Sequence, residues 1–289
     1  MPNAIASGLE SGSRFSTAYT QSTLELLHSV WRQRRLLVGL AKRDLSDDYA
    51  AQGLSTAWAL VQPLFLMVVY LFVFTWVFPA RVQAPPGSHS DAVVYLLSGI
   101  IPWIALSQVM GRSLNSVVGN RSIVKQMAFP LELLPLKSLA TPLFLGAASL
   151  VFVVAYSGLQ TGAEIIPVYA WGIPLLILIT GILFAGLALL LGSIQVFAPQ
   201  TREFVLMFLN VGIFIHPILF APGAVPIAVR PVLYLSPFSY LFFCWQDILF
   251  FGGVERAWAW CITIAFASVL FVVGARIFIA SKPHFGDFL

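Results

Sequence analysis

An all-helical membrane fold with several spans is what this sequence predicts, and three observations carry the prediction. The chain of 289 residues is 59% hydrophobic and 10% charged, against about 45–50% and about 25% in soluble proteins. A soluble fold of this size could not hide so much apolar surface. The apolar residues also fall into runs close to the roughly 20 residues that a helix needs to cross a hydrocarbon core of about 30 Å. Finally, Lys and Arg are distributed unequally between the polar stretches that separate those runs, the mark of a fixed orientation in the membrane. This composition excludes an ordinary cytosolic enzyme, a disordered chain and a DNA-binding module. The net charge of +4 comes from scattered basic residues, so no nucleic-acid partner is expected. Cys244 and Cys261 have neither CxxC nor zinc spacing and are expected to be buried thiols.

Residues 1–22 are rich in Ser, Gly, Thr and Ala and are expected to be a flexible cytoplasmic tail. They are no cleavable signal, because Arg14 is followed by Phe15-Ser16-Thr17 and not by an apolar stretch. Residues 23–56 form an amphipathic segment. Between Leu24 and Ser55, apolar residues recur at helical spacing among Arg32, Arg34, Arg35, Lys42, Arg43 and Asp44. A helix or helix pair with a basic face belongs on an anionic cytoplasmic leaflet. It serves either as a substrate-access platform or merely to orient the chain.

The transmembrane domain is expected over 57–281 and the cytoplasmic C-terminal tail over 282–289. Ala57–Phe78 is the first span; Trp58 and Trp76 lie about 27 Å apart along a helix, one at each interface. A polar loop occupies 80–91. Ala92–Met110 follows, interrupted by Pro102, and a polar stretch runs over 111–127. Leu131–Gly158 carries the third span and Trp171–Phe197 the fourth. In the fourth, the pairs Gly181/Ala185 and Ala188/Gly192 are small-xxx-small spacings that permit close helix approach. Phe204–Phe220 is the fifth span and Ala257–Ala280 the last. Val232–Phe251 is also apolar, but Ser236-Pro237 breaks it. It is expected to be two short helices that dip in from the outer side, the alternative being a seventh span. Six spans place 13 Lys and Arg inside and 3 outside; seven place 12 inside and 4 outside. Either count puts the N-terminus inside.

Catalytic motifs are missing. The chain has no GxxxxGK[ST], GxSxG or HExxH, and carboxylates are nearly absent from the spans, which argues against an ion-coupled carrier. His216 stands alone beside Pro217 and is expected to hydrogen-bond a neighbouring helix. A membrane domain without an energy source, bearing cytoplasmic polar elements, implies a partner that supplies the energy.

Several short motifs then stand in a familiar order. Lys42-Arg43-Asp44-Leu45, Tyr49, Leu54, Trp58 and Gln62-Pro63 come first, then Ser98-Gly99-Ile100-Ile101-Pro102-Trp103. Ser113-Leu114-Asn115-Ser116-Val117-Val118-Gly119-Asn120 follows, with Val124-Lys125 and Phe129-Pro130. His216-Pro217-Ile218-Leu219-Phe220, Val225-Pro226 and Ser236-Pro237 close the series. Together, over residues 35–280, they resemble the permeases of ABC-2 type exporters, above all those that export O-antigen, teichoic acid or capsule. The resemblance implies a homodimer of six-span subunits in a bacterial inner membrane, both termini cytoplasmic. It further implies two copies of a separate P-loop ATPase, which binds ATP and Mg, and a lipid-linked polysaccharide as cargo. No cofactor is expected on this chain, and it is not itself an enzyme.

In that frame Asn115, Asn120, Arg121 and Lys125 are expected on a short cytoplasmic helix, Asn115–Lys125, that docks into the ATPase, with Arg202 and Glu203 beside it. Tyr70 and Phe74, and Phe204 and Phe208, stand at i, i+4 spacing, where their rings could stack on sugars. With His216, Pro237 and Tyr240 they are the expected channel and gate residues. Two other readings compete: an ABC-2 permease for a small lipid or drug, and a membrane-embedded transferase acting on lipid-linked sugars. The transferase would need clustered polar groups at one interface, where the sequence offers only His216 and Asp247.

Overall fold

A computed structural model of the protein describes residues 25–50, 56–77, 92–125, 129–161 and 166–289. The expected tail 1–22, both ends of the amphipathic segment (Leu24 and 51–55) and the polar loop 80–91 lie outside the described residues. Among those described, every regular element is helical. Four stretches are long and apolar enough to cross a membrane: Val93–Val118, Leu133–Leu159, Trp171–Phe197 and Ala257–Phe288.

Helix α1 covers residues 25–32, and α2 covers Arg34–Ala50. Helix α3, Thr56–Phe72, continues as a π turn over Val73–Val77. Helix α4, Ala92–Val118, runs unbroken through Pro102, where the sequence predicted an interruption. A proline removes one N–H from the helix ladder, and a helix at membrane depth tolerates that where protein surrounds it. Here Ile101 and Trp103, on either side, are both buried. Helix α4 is the central element: it is buried along most of its length, whereas the last span is mostly exposed.

After α5, Arg121–Val124, the third span begins as α6, Leu133–Lys137, and turns at Ser138-Leu139 into α7, Ala140–Thr161. The span therefore starts after Glu132. Helix α8, Ile166–Phe197, makes its largest contact with α12, Ala257–Ser281. The small residues that permit this contact differ from those expected. A Cβ on Gly274 would stand 2.2 Å from the Gly186 carbonyl oxygen, and one on Gly186 would stand 2.5 Å from the Phe271 nitrogen. Gly181 has open space around it, whereas a Cβ on Gly192 would stand 2.8 Å from the Ser116 hydroxyl of α4. In the first expected pair Gly181 thus meets no neighbour, and in the second Gly192 serves the approach of α4.

Helix α9, Thr201–Ile215, has 15 residues and reaches about 22 Å at 1.5 Å per residue. Its direction is read from its partners on α4. Arg202 meets Asn115, Phe208 and Gly212 meet Trp103, and Pro217 and Phe220 meet Tyr95. Helix α9 and the following segment therefore run antiparallel to α4 over about 30 Å, the length of the 20 residues between Asn115 and Tyr95.

Helices α10, Arg230–Leu235, and α11, Phe238–Gln246, are separated at Ser236-Pro237, as the proline predicts. Helix α11 runs antiparallel to α12: Phe238 packs on Phe266, Cys244 touches Thr263, and Asp247 bonds Trp260. It ends in a π turn, Asp247–Phe251, closed by Gly252 at φ 68°. Only glycine takes that left-handed backbone at little cost. Cys244 is buried but Cys261 is exposed, because 17 residues along the chain separate an inner helix from the outer surface of α12. The last residues fold as a 3-10 turn, Lys282–His284, and α13, Phe285–Phe288.

Among the described residues two large apolar cores form, beside a small cluster of Leu145 with Leu45 and Phe144. The larger unites α4, α7, α8, α11 and the π turn Asp247–Phe251, with contributions from α3, α9 and α12. The smaller lies at the end of the bundle that carries Arg121 and Lys125; it joins Leu26, Val124, Leu131, Phe278 and Phe285.

Candidate functional site

Basic side chains gather at the end of the molecule defined by the C-terminal turn of α4. The stretch expected to be one helix, Asn115–Lys125, is in fact two pieces. Asn115 stands in the last turns of α4, the chain turns at Gly119-Asn120, and α5 is a single turn. The Asn120 side chain explains the break: its Nδ2 donates to the Ser116 carbonyl at 2.8 Å, a local bond that competes with continuing the helix. Arg121 and Lys125 are exposed on this turn. Arg202, exposed at the head of α9, donates to Asn115 Oδ1 at 3.4 Å although 87 residues separate them. Glu203 is exposed beside it, in the first turn of α9, where a carboxylate suits the positive end of the helix dipole.

The amphipathic segment divides by role. Arg32, Arg34, Arg35, Lys42 and Arg43 are exposed, and Arg34 lies over the Trp31 ring at 5.0 Å. Asp44 is different. It accepts a hydrogen bond from Lys137 Nζ at 2.9 Å and faces Arg112 at 4.0 Å, so it ties α2 to α6 and α4. Asp44, Arg112, Asn115, Asn120 and Lys137 line a polar hollow of about 290 Å³.

Sequence reasoning missed Glu132. Ser29 donates to its Oε1 at 2.5 Å, and Lys282 donates to its Oε2 at 2.7 Å. Burial pushes this carboxyl up, but the bonds from Lys282 and Ser29 outweigh burial and hold its pKa below the ordinary 4.5. One signal was available: a lone acid between Pro130-Leu131 and Leu133-Leu134 must find partners if it is buried.

At the other end of the bundle His216 is fully buried among Trp103, Phe208 and Phe242. Its Nδ1 lies 2.6 Å from the Gly212 carbonyl oxygen and must donate, because that oxygen can only accept. In the neutral ring Nε2 then accepts from the Ser236 hydroxyl at 2.8 Å. The histidine fastens α9 to the turn between α10 and α11, as expected of a hydrogen-bonded structural histidine. Asp247, also fully buried, accepts from the Arg256 backbone N–H at 3.1 Å, Arg256 Nε at 2.8 Å and Trp260 Nε1 at 3.0 Å. The two polar groups that a transferase would need are therefore both engaged in joining helices.

The aromatic residues separate as well. Tyr70 of α3 and Phe74 of the π turn that continues it stack at 6.4 Å, and α3 packs chiefly on α7. Phe208 packs inward on Trp103 and Phe238, whereas Phe204, one turn earlier, is 67% exposed. Pro237 is half-buried at the turn. Tyr240 donates to the Tyr234 carbonyl at 2.7 Å and packs edge-on against Trp258. Within this chain these rings do not form a single wall.

Comparison with known proteins bears on what such an arrangement serves. Two O-antigen export system permease proteins RfbA of Klebsiella pneumoniae are 26% and 24% identical to this chain; each alignment covers 88% of the chain and 95% of the relative. The protein of the same name from Myxococcus xanthus is 23% identical over 91% of this chain and 99% of its own. The profile of the ABC-2 type transporter family matches residues 35–250, a stretch that holds α3 through α11 and nearly all of α2. The chain belongs to the ABC-2 type transporter family.

Proposed function

We propose that this chain is the permease subunit of an exporter that moves a lipid-linked polysaccharide across the bacterial inner membrane. The observation that carries the reading is the near full-length match to three proteins named as O-antigen export permeases. The chain carries no P-loop motif, so ATP and Mg bind a separate ATPase, two copies serving a permease homodimer. Helix α5, with Arg121 and Lys125, docks in the ATPase, and Asn115, Asn120, Arg202 and Glu203 flank it. The pairing of Arg202 with Asn115 supports this, because it joins the end of α4 to the head of α9 on the docking side.

In this reading the chain crosses the membrane six times, both termini cytoplasmic. Helix α9 completes the fifth crossing with the segment after His216. Helices α10 and α11 form a re-entrant hairpin from the outer side. Its support is the register of α11, whose first residue lies beside Phe266, about 12 Å along α12 from Trp258, while Asp247, just past its last residue, bonds Arg256. Irregular backbone at that depth is tolerated because protein covers it. Two subunits would bring α3 of one toward α9 of the other, so that Tyr70, Phe74 and Phe204 line a shared path. The basic face of α1 and α2 lies on the anionic leaflet and receives the lipid carrier.

Reconstitution in vesicles with the partner ATPase tests the function. Lipid-linked polysaccharide should cross only with ATP, and the combined R121E and K125E variant should lose ATPase retention or export. Transport of a short lipid but not of the polymer would overturn the cargo assignment. Undiminished export by the double variant would overturn the docking assignment.

A further inference from the structure

Three parts of the chain that are distant in sequence converge on one carboxylate. Ser29 on α1 lies 103 residues before Glu132, and Lys282 lies 150 residues after it. Each takes one carboxylate oxygen, so neither bond can be lost without leaving an acceptor of a buried acid unmatched. The Glu132 side chain is only 10% exposed, and charge-assisted bonds in such a setting are short and strong. Beneath it lies the smaller apolar core, distinct from that of the bundle, in which Leu26 of α1 and Phe285 of α13 are buried with Val124 of α5. Phe285 is held from two sides, by Phe278 of α12 and Phe197 of α8. The segment after α12 is therefore an inserted part of this end of the molecule, and α5 shares its core.

We infer that Glu132 is a positioning residue that clasps α1, the turn before α6 and the C-terminal segment into a single cap, through which a push on α5 reaches the ends of α8 and α12. The inference rests on the reading above that an ATPase docks at α5. A stabilising role alone would not call for a carboxylate here, because apolar side chains of similar volume commonly do as well as a buried ion pair. What the carboxylate adds is a directed connection: two acceptors, one for each distant segment. The cap then moves as a body, and the amphipathic segment, which continues from α1, moves with it.

The test uses the full-length permease in two settings. In the first, permease and ATPase are reconstituted together, and ATPase retention, ATP hydrolysis and polymer export are measured. E132Q should retain the ATPase and hydrolyse ATP as before, while export per ATP falls by about tenfold, equivalent to ~1.4 kcal/mol of lost coupling. K282Q should shift it in the same direction. The exchanged pair E132K with K282E, which restores the ion pair, should recover most of the loss. In the second setting, amide hydrogen exchange is followed on the permease alone. In E132Q, residues 25–32 and 282–289 should exchange faster together, while α7 stays unchanged. Export per ATP equal to wild type in both E132Q and K282Q, or faster exchange in only one of the two segments, overturns the clasp. If E132Q does not fold, K282Q is decisive, since its side chain is 38% exposed. If the wild-type permease retains no ATPase, the docking reading fails, and the joint rise in exchange still decides whether the clasp exists.

Discussion

Glu132 shows how a single residue type, set in the wrong surroundings, dictates its neighbours. A carboxylate beside Leu131, Leu133 and Leu134 cannot remain unpaired, and Ser29 and Lys282 meet it from opposite ends of the chain. The pH dependence follows in sign. The folded-state pKa of Glu132 is depressed below 4.5, so its stabilisation is fully present above about 4.5 and is lost as pH falls through the lower folded value. Thermal unfolding of the purified protein should therefore separate wild type from E132Q at neutral pH, and the gap should close under acid. A gap that persists unchanged below the folded pKa would show that the charge contributes nothing. His216 makes the same point in an apolar setting. Its lone position beside Pro217 marked it as a structural histidine, but only packing revealed Ser236 as its partner, 20 residues later.

Among the elements, the crossing of α8 and α12 is decided by backbone contact. A Cβ added at Gly274 would meet the Gly186 carbonyl at 2.2 Å, whereas one added at Gly181 would meet nothing. Gly274→Ala should destabilise the protein by about 1–3 kcal/mol, the usual cost of overpacking a close contact, and Gly181→Ala should be neutral. Melting temperatures in detergent distinguish them, and equal effects would mean that the two helices do not approach so closely. The hairpin of α10 and α11 gives an element-scale test of topology. Single cysteines at Arg230 and Glu255, in a background lacking Cys244 and Cys261, should both react with an impermeant reagent added outside intact cells. Reaction at position 230 without reaction at 255 would make the stretch a seventh span. The proline at 237 told of two helices and not of their depth, because depth is a matter of register against α12 and α4.

For the whole molecule, charge segregation carries the proposed orientation and the exposed basic face the proposed loading surface. Neutralising Arg32, Arg34 and Arg35 together still leaves ten basic residues inside against three outside in the six-span arrangement. Topology should hold, and export should fall if the cluster guides an anionic lipid carrier, since each such charge near an anionic surface is worth about 1 kcal/mol. Reporter fusions and an export assay read the two effects separately; unchanged export would leave the cluster only its orienting role. The sequence by itself determined that this is a helical membrane protein, where most apolar runs lie and which family it resembles. Those properties depend on composition, on runs of about 20 residues and on the order of short motifs, all of them local along the chain. Tertiary structure alone decided which glycines meet, that α4 passes unbroken through Pro102, that Asn115 and Arg202 face each other, and that the last residues are built into the cap. Those outcomes rest on contacts between residues tens to more than a hundred positions apart, and no periodicity in a sequence specifies which of many equally apolar faces will pack together.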